Sequence, residues 1–244
     1  MKTILAADTT TAVNTVALCE FAEGADSSTF HVQTEVYSLC GRRHSERLIS
    51  TIDWVLNESR ISLSDVDVLA LSNGPGSFTG LRIGVSTFKG LALGVSKPLV
   101  AVPTLDAMAR AVQPLGAEAV VLCPLLDARM GEVFGALYRF EDGKRQKLTE
   151  DRVCPVEELL REVCGPVVVY GEGAEVYRER IQAAGSAIDI RDDVSVPRAW
   201  AVAAEAIDLL AAGAPSEAGL VSPVYLRKSQ AEQNRAHAQK ASAP

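Results

Sequence analysis

Histidine is scarce in this sequence, at three residues in 244, and that scarcity sets the first limits on its chemistry. A helical zinc or iron pair needs two histidines on one face, such as four positions apart. His44 has Cys40 four before it and Leu48 four after it, while His31 falls in a strand and His237 close to the carboxyl terminus. This argues against a metal site and leaves few general bases. The five cysteines, Cys19, Cys40, Cys123, Cys154 and Cys164, include no CxxC pair and are odd in number, so reduced structural thiols are expected. No apolar run approaches the ~20 residues of a membrane span, and Met1–Asp8 is too short an apolar stretch for an export signal. The chain reads as soluble and cytoplasmic, with no membrane contact. Positive charge is also lacking: the net charge is -7, and no basic face is visible. If RNA is involved, another subunit holds it. There is no G-x-S-x-G elbow and no Walker A lysine, so nucleophilic and P-loop chemistry find no support.

What is present is a pattern that occurs twice. β-branched runs at Thr3–Ala7, Thr15–Cys19 and Thr29–Tyr37 predict three strands. A helix over His44–Glu58, a strand at Val66–Leu71, a helix over Thr79–Val95, a strand at Leu99–Val102 and a helix over Thr104–Val112 follow. The second half repeats the order. Strands are predicted at Ala119–Leu126, Val133–Phe140 and Gln146–Val153, then a helix at Val156–Val163, a strand at Val167–Tyr170, a helix at Glu172–Ala183, a short strand at Ile188–Ile190 and a helix at Arg198–Ala212. Three strands, helix, strand, helix, strand, helix, written twice, predicts an α/β chain of two ribonuclease-H-like lobes. This is the actin/sugar-kinase/Hsp70 (ASKHA) class. The expected divisions are an amino-terminal lobe at 1–102, a second lobe at 103–213, an extended return segment at 214–228 and a disordered tail at 229–244, the tail lacking apolar periodicity.

The sharpest local signal is Ser72-Asn73-Gly74-Pro75-Gly76-Ser77-Phe78-Thr79-Gly80-Leu81-Arg82-Ile83-Gly84, between a buried strand and a helix. Free N–H groups at the helix start, with Ser77, Thr79 and Arg82, would suit an anion. A capped turn without ligand fits the same spacing. Along the helix, Arg82, Ser86 and Lys89 share a polar face, and Leu81, Val85, Phe88 and Ala92 an apolar one. Between them runs a stripe of Gly80, Ile83, Gly84, Thr87, Gly90 and Gly94. Each interior glycine costs about 1 kcal/mol relative to alanine, a cost tolerated where something packs closely. That neighbour is either the lobe's own sheet or a helix of another chain. On the preceding helix, Leu48, Ile49, Ile52, Val55 and Leu56 should face the core, with Trp54 outside beside Arg47, Ser50 and Thr51. An outward tryptophan suits an interface.

In this fold class a first-strand acid followed by small hydroxyls meets phosphate and metal. Asp8, Thr9 and Thr10 match that loosely, as a weak or vestigial nucleotide site. The second lobe offers Asp127-Ala128-Arg129-Met130-Gly131-Glu132, where Arg129 accompanies the acid and no glycine-rich phosphate loop is evident. Asp8, Asp127 and Glu132 are candidates to approach one another in the cleft, which sequence alone does not show.

Asp8-Thr9-Thr10, Arg43-His44-Ser45-Glu46, Gly74 to Gly84, Pro103-Thr104-Leu105, Asp127 to Val133 and Tyr225-Leu226-Arg227, in this order and spacing, resemble the bacterial TsaB (YeaZ) family over about residues 1–228. The resemblance implies a non-catalytic partner of a larger homologue, TsaD, in transfer of a threonylcarbamoyl group to the tRNA adenosine beside the anticodon. ATP and metal would sit on partner subunits, a TsaE-like ATPase would join, and tRNA would be met only through the complex. The implied metal histidines of TsaD map to the 44–58 helix, where this chain keeps only His44. Pairing through first-lobe helices makes His44, Arg47, Trp54, Gly80, Ile83, Gly84, Thr87, Gly90 and Gly94 the expected interface. A bulky residue at Gly84 should then disrupt pairing and leave the chain folded. The alternatives are a self-associating ASKHA enzyme, metallopeptidase-like or ATPase, and a homodimer through the same helices.

Overall fold

Both faces of the first sheet are covered, and its central strands read accordingly as nearly continuous apolar runs. The computed structural model describes residues 1–22, 30–41, 44–112, 120–141, 144–185 and 187–227. His237, the tail at 229–244, residues 23–29 and the side chain of His44 lie outside the described residues. β1 (Lys2–Asp8), β2 (Val13–Phe21) and β3 (His31–Leu39) form an antiparallel meander. β4 (Val68–Gly74) and β5 (Leu99–Pro103) add in parallel, giving the order β3-β2-β1-β4-β5. This is the strand order of a ribonuclease-H-like lobe. α1 (His44–Glu58) and α2 (Phe78–Val95) cover one face, where Leu48, Ile52, Val55, Val85 and Phe88 meet Leu5, Leu18, Leu69 and Leu71.

The second sheet is built on β6 (Val120–Arg129), in the order β10-β7-β6-β11-β12. The expected strand over Val133–Phe140 is split into β7 (Glu132–Gly135) and β8 (Tyr138–Glu141). The break falls opposite Pro124 of β6, which has no N–H to offer the ladder. On the other edge of the break, the carbonyl of Leu137 accepts from Leu148 N at 2.7 Å and Thr149 N at 3.4 Å. The next expected strand is accordingly split into β9 (Lys144–Lys147) and β10 (Arg152–Cys154). β11 (Val167–Tyr170) and β12 (Ile188–Arg191) run parallel to β6. α4 (Val156–Leu160), α5 (Glu172–Val176) and α6 (Arg178–Ala184) cover the far face. A single helix was expected over Glu172–Ala183; Tyr177, at φ -108° and ψ 22°, divides it.

α3 (Thr104–Ala111) and α7 (Ala199–Ala211) lie between the sheets. α3 packs on the second sheet through Leu105 and Met108. α7 follows the second lobe in sequence, yet Ala199, Val202, Ala203 and Ile207 pack against Ile4, Ala6, Ala17 and Val100 of the first. Small side chains let this helix approach the sheet closely, and the expected 103–213 division therefore gives its last helix back to the first lobe. Residues 214–227 then form a strap. Ser216 accepts from Leu99 N at 2.9 Å, Ala218 and Val221 enter the first core, and Arg227 reaches Ala128, Arg129 and Glu132 of the second lobe.

Candidate docking face and the interlobe cleft

Asp8 ends β1, and Thr9 and Thr10 follow it in the β1–β2 turn, where parallel strands open a crevice, the place such folds hold ligands. Here they are turned inward and almost fully buried. Asp8 Oδ1 accepts from Thr10 N and from Thr10 Oγ1, each at 2.8 Å. Thr9 Oγ1 donates to Gly80 O at 2.8 Å, and Ser77 N donates to Thr10 O at 2.7 Å. The start of α2 is thus pressed onto the β1–β2 turn. A Cβ at Gly80 would lie 1.9 Å from Thr9 O, and one at Gly84 2.4 Å from Thr9 Oγ1. The hydroxyls assigned to phosphate from sequence are committed to the protein itself. Burial pushes the Asp8 carboxyl up from its ordinary value, against the hydrogen bonds from Thr10.

The same contacts correct the interface expectation. Gly80 and Gly84 face their own lobe, so a bulky residue at Gly84 damages the fold before it touches a partner. Gly90 and Gly94 differ: both are exposed, and a Cβ on either meets nothing within 4 Å. Ile83 and Thr87 are half-buried, between the two groups.

Several of the donors named for an anion at this loop are used within the chain. Ser77 caps α2, its side chain accepting from Gly80 N at 3.3 Å, while Leu81 N goes to Ser77 O at 2.8 Å. With Ser77 N given to Thr10, these N–H groups have partners. Thr79 is exposed, and Arg82 lies over the Phe78 ring and donates to Tyr225 of the strap. Gly74, at φ +129°, is required for a different reason: a Cβ there would lie 2.3 Å from Val224 O. The strap is tied at this point, Val224 N donating to Asn73 O at 2.7 Å.

On α1, Trp54 stands 51% exposed, and Arg47 is exposed with it. Ile49 is also 51% exposed, although the sequence placed it in the core stripe. It lies about 100° round the helix from Leu48, past the edge of that stripe. Thr51 takes the buried place, its hydroxyl donating to Arg47 O at 2.8 Å. Leu93 on α2 is 64% exposed. The outward side of the α1–α2 layer therefore carries Ile49, Trp54 and Leu93 with two uncovered glycines, a surface with aromatic and aliphatic anchors and room for close approach.

In the cleft the acids are not quite those expected. Glu132 is paired with Arg227. Glu172, which opens α5, comes near Asp127 and Asp8 instead. Burial and then the Asp127 charge push its carboxyl up, with Arg129 opposing. Asp127 itself accepts from Arg129 N at 2.8 Å and Tyr177 Oη at 3.0 Å, and pairs with Arg129 at 3.0 Å. The signal for Glu172 was its place between two glycines directly after a buried strand.

Known proteins place this geometry. The family model described as TsaD, tRNA N6-adenosine threonylcarbamoyltransferase, matches residues 35–235. The tRNA threonylcarbamoyladenosine biosynthesis protein TsaB of Escherichia coli is 35% identical over 93% of this chain and 96% of its own length. The TsaB of Haemophilus influenzae is 38% identical over 67% of this chain and 64% of its own. Among solved structures, YeaZ from Pseudomonas aeruginosa superposes with a TM-score of 0.72 at 31% identity, covering 93% of this chain and all of that one.

Proposed function

Because the chain belongs to the TsaB family, whose members are named for the biosynthesis of threonylcarbamoyladenosine in tRNA, we propose that it serves that modification as a non-catalytic partner of a TsaD-type subunit. The observation that carries this reading is a contrast within one lobe. The β1–β2 turn is closed by α2, whereas the outer side of α1 and α2 leaves Trp54, Ile49 and Leu93 uncovered. A lobe of this kind is suited to docking rather than to holding a nucleotide. In this reading the TsaD-type subunit carries the metal and the transfer chemistry, and a TsaE-like ATPase joins the pair. tRNA, a polyanion, is met by the assembly rather than by a chain of net charge -7.

Size measurement of the chain alone, of the TsaD-type subunit alone and of their mixture tests the pairing. A one-to-one complex is expected, with modified adenosine formed only when both are present. Threonylcarbamoyl transfer by the isolated chain, or separate elution at micromolar concentration, overturns the reading. Self-association through the same helices would appear as a dimer of the chain alone that the TsaD-type subunit dissolves.

A further inference from the structure

Five cations lie over aromatic rings in the described part of the molecule: Arg82 over Phe78 at 4.0 Å, Arg198 over Tyr37 at 4.6 Å, Arg180 over Tyr177 at 5.2 Å, and Lys147 and Arg145 over Tyr138 at 5.5 and 6.0 Å. Four of them also hold a carboxylate: Glu35 for Arg198, Glu157 for Arg180, Asp106 for Lys147 and Glu205 for Arg145. Arg82 has the closest ring and, among the described residues, no carboxylate. It is nevertheless firmly held. Its Nε donates to Tyr225 Oη at 3.1 Å, and Tyr225 stacks on Phe78 with ring centroids 4.8 Å apart. Tyr225 follows Val224, whose N–H is bonded to Asn73 O at 2.7 Å. The guanidinium plane is thus fixed by a ring below, a hydroxyl at Nε and a tethered strap. Its two terminal nitrogens have no acceptor among the described residues, and the residue is exposed.

A planar donor fork fixed in advance, with both tines unused, matches a two-oxygen acceptor and loses little freedom on engaging it. Nothing on its own helix competes, since α2 contains no Asp or Glu. The other cation of α2, Lys89, is bound to Gly219 O at 3.1 Å and Val221 O at 3.0 Å. Beside the fork the strap exposes Val224 at 44% and Tyr225 at 41%, and α2 exposes the uncharged Thr79 and Ser86 one turn to either side. A nucleic-acid backbone calls for a row of cations, and one fixed arginine, with Lys89 bound to the strap, does not supply it. It does resemble the arginine and aromatic anchors at the centre of protein interfaces.

We propose that Arg82, held by Phe78 and Tyr225, is a preassembled docking point for a carboxylate side chain of the partner subunit, and that the docking face extends across α2 onto the strap at 224–225. This inference rests on the pairing reading above. Its test is a calorimetric titration of the full chain against the TsaD-type subunit at low and high salt. Arg82→Gln should weaken pairing about 10- to 100-fold, the range for a lost charge-assisted hydrogen bond. Arg82→Lys should recover little of it, because an ammonium cannot fork. Tyr225→Phe keeps the stack, removes the hydrogen bond at Nε and should weaken pairing a few-fold; if Arg82→Gln misfolds, this variant decides. Equal affinity for Arg82→Gln and the natural chain, or full recovery by lysine, overturns the proposal. So does unchanged subunit pairing with weakened tRNA binding by the assembled complex, which would assign the fork to phosphate. Failure of the natural chain to pair overturns the functional reading itself, and the two failures are told apart by that control.

Discussion

Gly80 and Gly90 belong to one helix and answer to opposite constraints. The first sits against a carbonyl that leaves no room for a methyl group, the second faces open space. Gly80→Ala is expected to destabilise the chain by about 1–3 kcal/mol, the usual range for overpacking, read as a lower urea midpoint. Gly90→Ala is expected to raise stability by up to about 1 kcal/mol in the same assay, from helix propensity alone. Asp8 gives a pH signature. Its folded-state value is raised by burial above the ordinary 3.8, so the folded chain keeps a proton that the unfolded chain has released. This contribution to stability is present at low pH and is lost as pH climbs from 3.8 through the raised value. Asp8→Asn removes that slope, so its stability relative to the natural chain should improve from acid to neutral pH in parallel denaturation series.

At the scale of elements, the α1–α2 layer was largely legible. Leu48, Ile52, Val55, Val85 and Phe88 repeat at helical spacing, and they form the core beneath both helices. Trp54 falls outside that stripe and is exposed. Its removal should therefore separate docking from folding. Trp54→Ala is expected to shift stability by no more than about 0.5 kcal/mol in chemical denaturation. Pairing with the TsaD-type subunit should weaken by about tenfold or more in the same titration, as for interface tryptophans elsewhere. Less legible were the interruptions. The gap between β7 and β8 depends on Pro124, a residue of the neighbouring strand that no local pattern in Val133–Phe140 reveals. The division of α5 from α6 at Tyr177 likewise goes with a tertiary contact, the hydroxyl reaching Asp127 at 3.0 Å.

The whole molecule is braced between its lobes by charge. Arg145, on the β8–β9 hairpin, donates to Glu205 of α7 at 2.6 Å and to Asp106 O of α3 at 3.1 Å, while Arg110 of α3 also pairs with Glu205 at 2.8 Å. Both Arg145 and Glu205 are mostly buried. Arg145→Ala removes one of two guanidiniums on Glu205 and leaves Arg110 in place, so it should cost about 1–3 kcal/mol, the range for a lost charge-assisted hydrogen bond. Hydrogen exchange should quicken first in β8–β9 and α7, which would show the lobes loosening before either melts. The strap adds a second tie, from Lys89 on α2 to Arg227 at the β6–β7 turn.

The sequence alone determined the two-lobed α/β plan, the family likeness and the outward tryptophan, because periodicity and motif spacing are properties of neighbours along the chain. It could not say which glycines of α2 face inward, since Gly80, Gly84, Gly90 and Gly94 are alike until the β1–β2 turn is set against two of them. Nor could it place Glu172 beside Asp127, return α7 to the first lobe, or bring Tyr225 to Arg82 across most of the chain. Those outcomes depend on contacts between residues distant in sequence, which only close packing of the folded chain selects.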